Sequence, residues 1–561
     1  MLTNSAIIAG LLLLAGCGAS TKFKASPPPP NDMRPVPAPE SREINLAADN
    51  MNKLVTIQVQ RFFDLARHYR SITNNPRQAK NINEFDEVYN SSWFTNRNGM
   101  TPLTLEAIAR GPNQVTGPDT LAEWVVVAAK TQGVTPGFTI KDTTGQRYVI
   151  KFDPMGYPQL ATGAEAVSTK LFYAAGYNVP ENYLVKFDPK ILRVGDEVKF
   201  LDKEGVNRFM NEDDLNAILE RIQKLPDGRI RVIASKFLSG KPLGSFYYMK
   251  TRKDDANDVI DHEYRRELRG LRVIASWLNH FDTKANNTLD MYDPAGYVKH
   301  YLIDFGSTLG SQGDEPMPPE IGREGPGDPG ALFKTIGSLG THQRSWEKDP
   351  NIVYPSIGYM VSHDFEPQKY KFILPNPAFM DATNRDGYWG AKIVMSFTDD
   401  QIRTAVAQGE YSDPEAADYL YRTIIERRNI IGEYWFNRMP PLDKFEIKAG
   451  NNGAQMLCFQ DLAVKSGLDS PDSVAYQVDV KYRSKALVTG QDLGKETCLP
   501  LTELQAKAAA VNAKETGQPD WEIFFKLKRH DEEKWSKWVK VFLVTEDDGN
   551  TFKLLGLLRQ E

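Results

Sequence analysis

Apolar positions follow helical spacing in some stretches of the chain and alternate in others. From Leu46 to Arg70 they recur at Val55, Val59, Phe62, Ala66 and Tyr69, which predicts an N-terminal helix. Strand-like runs follow at Glu123–Ala129, Phe138–Lys141 and Arg147–Phe152. The segment Ala164–Ala175 then predicts a helix, stopped by Gly176 and Pro180. Two further strands are predicted at Tyr183–Phe187 and Arg231–Phe237. The character then changes. Asp261–Leu278 carries an amphipathic face (Leu268, Leu271, Ile274, Ala275, Leu278), and Tyr301–Ile303 is a short apolar strand. Helices are predicted around Trp389–Val394, Asp399–Gln408 and Asp413–Asn437. Beyond Pro441 strands return at Ser473–Tyr482, Trp521–Leu527 and Trp538–Val544.

The first forty residues have a different pattern. An eleven-residue apolar run, Ala6–Gly16, is too short for a spanning helix, which needs about 20 residues. It suits the core of a signal peptide. The run ends in Leu14-Ala15-Gly16-Cys17, which resembles a bacterial lipobox. That resemblance implies removal of residues 1–16 and acylation of Cys17 (palmitate among the chains), leaving the protein anchored to a lipid bilayer in the bacterial cell envelope. Gly18, where some lipoproteins carry a retention Asp, favours the outer over the inner membrane. Seven prolines between Ala25 and Glu40 predict an extended tether.

Composition narrows the classes. Lys+Arg 68 against Asp+Glu 73 leaves a net charge of −5 with no basic run, which argues against a nucleic-acid partner. Three cysteines without a C-x-x-C pair argue against zinc. With Cys17 set aside, Cys458 and Cys498 are a candidate disulfide in an exported protein, though two free thiols fit the sequence equally well.

The chemistry lies around residues 280–306. His280-Phe281-Asp282-Thr283-Lys284-Ala285-Asn286-Asn287 follows the amphipathic helix and resembles the protein-kinase catalytic loop H-R-D-L-K-x-x-N. Seventeen residues after Asn287, Asp304-Phe305-Gly306 ends a short strand and resembles D-F-G. Tyr148-Val149-Ile150-Lys151 is similar to V-A-I-K, and Glu165 sits near the start of the following helix. The order of elements also resembles the two-lobe kinase plan. Gly163-Ala164-Glu165, Ala175–Pro180 and Ala234–Gly244 resemble the HipA and phosphatidylinositol-kinase-like branches.

The resemblance implies an α+β, two-lobe protein-kinase-like fold with a C-terminal β-rich domain. The expected boundaries are 1–16 signal peptide, 17–45 lipidated Cys and tether, 46–120 extension, 121–245 N-lobe, 246–440 helical C-lobe and 441–561 β-rich domain. It implies ATP and Mg²⁺ (or Mn²⁺) as cofactors and an unidentified phosphate acceptor. Asp282 and Lys284 would be catalytic, and Asn287 and Asp304 the metal ligands. Lys151, Glu165, Gly133, Gly137, Lys236 and Leu238 would bind ATP, the last two as part of the inter-lobe hinge. Such a site suits phosphoryl transfer, which is mostly positioning plus charge stabilisation. Phe281 replaces the catalytic-loop arginine and no A-P-E follows, so no activation by loop phosphorylation is expected. A pseudokinase or an envelope scaffold without catalysis is the alternative.

Overall fold

A computed structural model of the chain describes residues 27–129, 137–201, 206–324, 337, 343–348, 351–450, 454–511, 519–530, 532–546 and 551–561. Residues 1–16, Cys17 and Gly133 lie outside the described residues. Two compact units emerge. One holds Asn83–Asp86 and Pro440–Gln560; the other holds Pro28–Ile82, Glu87–Met439 and Glu561.

The larger unit opens with the helices α1 (Leu46–Met51), α2 (Ile57–Phe63) and α3 (Leu65–Ile72), with a π-helical turn, Asn52–Thr56, between the first two. A short helix, α4 (Leu105–Arg110), precedes a six-stranded sheet. Its strands are β1 (Trp124–Ala129), β2 (Gly137–Lys141), β3 (Arg147–Phe152), β4 (Asn182–Phe187), β5 (Leu192–Val194) and β8 (Ile230–Lys236). They run in the order β4-β8-β3-β2-β1-β5, antiparallel except for the β1–β5 pair. Trp124, Val126, Phe138, Ile140, Ile150 and Phe152 form the buried layer of this sheet, as alternation along β-branched and aromatic strands requires. The small hairpin β6 (Lys199–Leu201) and β7 (Asn207–Phe209) and the helix α6 (Glu212–Leu219) lie between β5 and β8 in the chain.

The long helix α5 (Leu160–Ala175) follows β3 and begins four residues earlier than the apolar pattern predicts. Asp153 is the reason. Its Oδ1 accepts from the Thr162 backbone N–H at 2.9 Å and its Oδ2 from the Thr162 hydroxyl at 2.8 Å, capping the helix start from the end of β3.

Next come β9 (Lys241–Gly244), α7 (Arg266–Trp277), β10 (Thr288–Tyr292) and β11 (Val298–Leu302). β9 falls inside the expected N-lobe range but pairs with β10, in a separate sheet ordered β11-β10-β9. The helices α8 (Asn384–Met395), α9 (Asp399–Ala407) and α10 (Pro414–Arg438) complete the unit. α8 packs on α7 at a close approach, where a Cβ on Gly270 would come within 2.5 Å of the Trp389 ring.

The proline-rich stretch departs from the expected free tether. Residues 32–42 lie along this unit as a strap. Asp32 accepts from the Ser92 N–H and hydroxyl (3.0 and 2.8 Å) and Arg34 donates to Asn257 (2.8 Å). The Val36 N–H donates to the Gly296 carbonyl (2.8 Å) and the Arg42 N–H to the Leu243 carbonyl (3.0 Å). An extended proline-rich backbone has no internal hydrogen bonds, so its remaining polar groups are available to the loops beside it. Among the described residues no helix is long and apolar enough to cross a membrane.

The smaller unit holds β12 (Leu442–Ala449), β13 (Gln455–Asp461), β14 (Val474–Tyr482), β15 (Lys485–Gly494), β16 (Cys498–Pro500), α11 (Leu501–Ala509), β17 (Trp521–Arg529), β18 (Val539–Thr545) and β19 (Phe552–Arg559). Two antiparallel sheets result, β12-β13-β16 and β15-β14-β17-β18-β19. Leu457, Val478, Val480, Ile523, Phe525 and Val541 form their shared core. Cys458 and Cys498 are register partners across β13 and β16 and form a disulfide.

Gly244 has φ +87°, and a Cβ there would lie 1.9 Å from the Arg42 carbonyl oxygen. Gly244→Ala should therefore loosen the strap. A penalty of about 1–2 kcal/mol corresponds to roughly five- to thirtyfold faster limited proteolysis within residues 27–45. Unchanged cleavage would contradict the close approach. Replacing Cys458 and Cys498 with Ser should cost the smaller unit about 2–4 kcal/mol in a denaturant titration, since the bridge spans 40 residues. An unaltered midpoint would show that the bridge contributes nothing.

Candidate active site

Strand alternation sets the first functional group. Tyr148, Ile150 and Phe152 enter the sheet core, so Lys151 faces the other way, towards α5. Glu165 lies six residues into α5, beyond its first turn, so a helix-start role for its charge does not apply. Its carboxylate, itself buried, takes the Lys151 ammonium at 2.8 and 3.0 Å. Asp304, just after β11, takes the same ammonium through Oδ1 at 2.9 Å. Burial alone would lower the Lys151 pKa, but the Asp304 and Glu165 charges outweigh it and hold the group above the usual lysine range. Asp304 has φ +65°, a conformation that L-residues adopt at a cost.

Asn182, at the start of β4, supports this arrangement. Its Nδ2 donates to Thr169 Oγ1 at 2.8 Å and to Glu165 Oε1 at 3.3 Å. Asn113 in turn grips the Asn182 backbone on both sides, at 2.9 and 3.1 Å. Neither asparagine belongs to a sequence motif.

The second group of residues comes from the loop after α7. The His280 N–H donates to the Ala275 carbonyl (2.8 Å), fastening the loop to the helix end. The His280 ring is buried, and burial lowers its pKa despite the nearby Asp282 charge. It packs against Phe172 of α5 and Phe305, whose rings stack on each other with centroids 4.8 Å apart. An apolar pile thus joins α5, the 280–287 loop and the Asp304 segment.

Asp282 Oδ2 accepts from Lys284 Nζ at 2.9 Å and from Asn287 Nδ2 at 3.0 Å. The Asn287 amide also donates to the Asp282 carbonyl at 2.7 Å, which fixes the loop's shape. The other carboxylate oxygen, Asp282 Oδ1, is buried and has no hydrogen-bond partner. Asn286 Oδ1 is in the same condition. A buried acceptor left unpaired costs about 1–3 kcal/mol, which an incoming hydroxyl donor would recover.

All these groups line one cavity of about 390 Å³: Lys151, Glu165, Asp282, Lys284, Asn287 and Asp304. Ile233, the register partner of Lys151 on β8, lines it too, together with Phe281, Ile321 and Ile373. Apolar walls around a few convergent polar groups are the usual make-up of a small-molecule site.

The remaining sequence candidates stand elsewhere. Gly137 opens β2 opposite Lys151 in register but does not line the cavity. Lys236 ends β8, where its Nζ pairs with Glu181 at 2.9 Å and its N–H donates to the Glu181 carbonyl. The Phe237 N–H donates to the Arg147 carbonyl, so these two backbone donors serve the sheet. Neither Lys236 nor Leu238 lines the cavity; β8 contributes Ile233 instead.

The donor set fits a hard divalent cation. Asn287 commits its amide nitrogen to Asp282, so its amide oxygen is the atom that could serve as a ligand, and Asp304 lines the same cavity. Among the described residues no group of three or more His, Cys, Asp or Glu side chains could hold a metal. A cation here would take the rest of its oxygen ligands from phosphate and water, as Mg²⁺ commonly does.

No protein-family model and no curated protein matches the chain. Solved structures similar to it include the Helicobacter pylori proinflammatory kinase CtkA, at 13% identity and a TM-score of 0.32, covering 57% of this chain and 99% of that one. The Golgi casein kinase with Mn/ADP bound is similar at 11% identity and a TM-score of 0.27, covering 59% of this chain and 73% of that one. A second structure of the Golgi casein kinase has 10% identity and a TM-score of 0.28, covering 73% and 96% respectively. At these scores the likeness carries no argument of its own; the α+β architecture and the geometry of the site do.

Proposed function

We propose that the larger unit is an ATP- and Mg²⁺-dependent phosphotransferase, held at a bacterial envelope membrane by an acylated Cys17. The observation that carries the catalytic reading is that Asp282, Lys284 and Asn287 line the same cavity as the Lys151–Glu165–Asp304 cluster. The Asp282 carboxylate accepts the proton of an acceptor hydroxyl as its oxygen bonds to the γ-phosphorus and the bond to the bridging β,γ-oxygen breaks. Lys284, fixed by Asp282, offsets charge on the transferred phosphoryl group. Lys151, aimed by Glu165, neutralises the phosphates that remain. Asn287 and Asp304 would hold the divalent cation, whose chemistry is charge neutralisation on the phosphate oxygens.

Saturation with Mg-ATP at 100 times its Kd should stabilise the wild-type protein by about 2.7 kcal/mol in a thermal melt. Asp304→Ala should lose most of that gain. No shift in the wild type would refute the nucleotide site. Asp282→Asn, which keeps the shape and removes the base, should retain the Mg-ATP shift. Its phosphate transfer from labelled ATP to an envelope fraction should fall about 10²–10⁴-fold. Transfer at the wild-type rate would remove Asp282 from the chemistry. A wild type that binds Mg-ATP and transfers nothing to any fraction would identify a pseudokinase.

A further inference from the structure

The N-terminal helices bury the less expected of their two sides. Ile57 is buried, and the Lys53–Asp49 ion pair (2.6 Å) is buried with it. Arg61 pairs with Asp381 and donates to the Met380 carbonyl at 2.9 Å. These contacts hold α1–α3 to the unit. The periodic apolar positions face outward: Val55, Val59, Phe62 and Phe63 are exposed, as are Leu65, Tyr69 and Ile72. Phe62 is 71% exposed, Leu65 80% and Ile72 85%. Ten of the twenty-two exposed large hydrophobic side chains among the described residues fall within Leu46–Ile72. Scattered exposed apolar residues are normal; this concentration marks an interaction surface.

The charge around the stretch gives the chemistry of its occupant. Lys53 is buried with Asp49, and the other basic side chains of the stretch are Arg61, which pairs with Asp381, Arg70, which lies 3.6 Å from Asp64, and the exposed Arg67. A hollow of about 420 Å³ beside α2 and α3 is lined by Arg61, Arg67, Arg70 and Arg77, against the carboxylates Asp64, Glu263 and Asp381. Apolar side chains interleaved with arginines suit the boundary between anionic headgroups and acyl chains.

The preceding chain sets the distance. The strap is pinned to the unit from Asp32 onward, leaving fourteen residues, 18–31, between Cys17 and the first anchor. Fully extended they reach at most about 50 Å. An acylated Cys17 thus keeps the Asp32 anchor within that reach of its bilayer, and one lipid signal generally needs a second for stable attachment.

We propose that the outer face of Leu46–Ile72 is a membrane-seating surface that takes an anionic lipid bilayer. The distance argument rests on the anchoring reading above; the apolar face and its charge do not.

The test uses the full chain with Cys17→Ser, and the same chain with Phe62→Glu and Ile72→Glu added. Each is floated with vesicles of equimolar phosphatidylglycerol and phosphatidylcholine, or of phosphatidylcholine alone. The apolar run 6–16 is present in both proteins, so their difference reads the helices. The parent should bind the anionic vesicles, bind the neutral ones less, and lose about tenfold in partitioning when the two glutamates are introduced. Retention of the Mg-ATP thermal shift would show that the glutamate variant is folded; should that shift be absent from the parent too, an unchanged melting temperature serves instead. Equal flotation of the two proteins, or no binding by the parent, overturns the proposal. So does sedimentation showing a parent dimer that the glutamates dissociate, since a second copy would then cover the face. Acylation is read separately, by the mass of the envelope-expressed wild type, so either claim can fail without the other.

Discussion

The Lys151 ammonium, held between Glu165 and Asp304, is the interaction on which the site's arrangement depends. An ammonium taken out of water costs several kcal/mol unless charged partners surround it with good geometry. Three segments must therefore converge: β3, the second turn of α5 that follows it, and Asp304, two residues beyond β11 and far along the chain. The supporting contacts follow from that requirement. Asp153 caps α5 from the end of β3, Asn182 holds Glu165 from β4, and the Phe172–Phe305 stack joins α5 to the Asp304 segment. Asp304 takes part in this convergence at a φ of +65°.

The 280–287 loop uses the opposite device. Asp282 commits one oxygen to Lys284 and Asn287 and leaves the other buried without a partner. Lys151 is thus paired on two sides, while the Asp282 carboxylate is paired through one oxygen only. On the reading proposed above, the first contact would position phosphates and the second would belong to the chemistry.

Much of this was legible in the sequence because the chemistry is local. The stretches 148–151, 280–287 and 304–306 carry residue types at fixed spacing, and the helix holding Glu165 follows its strand directly. Residues that complete the cavity had no such signal. Ile233, Ile321 and Ile373 are ordinary apolar residues until the fold brings them beside Lys151, and Asn182 sits alone at a strand start. β9 and β10 are short, and Pro242 and Gly244 depress the strand signal of the first. Periodicity predicted one helix over residues 46–70, where the structure has three, and the apolar positions that signalled it are exposed. A pattern of apolar positions marks a face and does not say what covers it.

Amide hydrogen exchange with and without Mg-ATP would locate the nucleotide on the chain. Binding at the Lys151–Asp282 cavity should add protection in residues 148–151, along α5 and across 280–306, with none in residues 440–560. Protection confined to the smaller unit, or no change anywhere at saturating nucleotide, would contradict it.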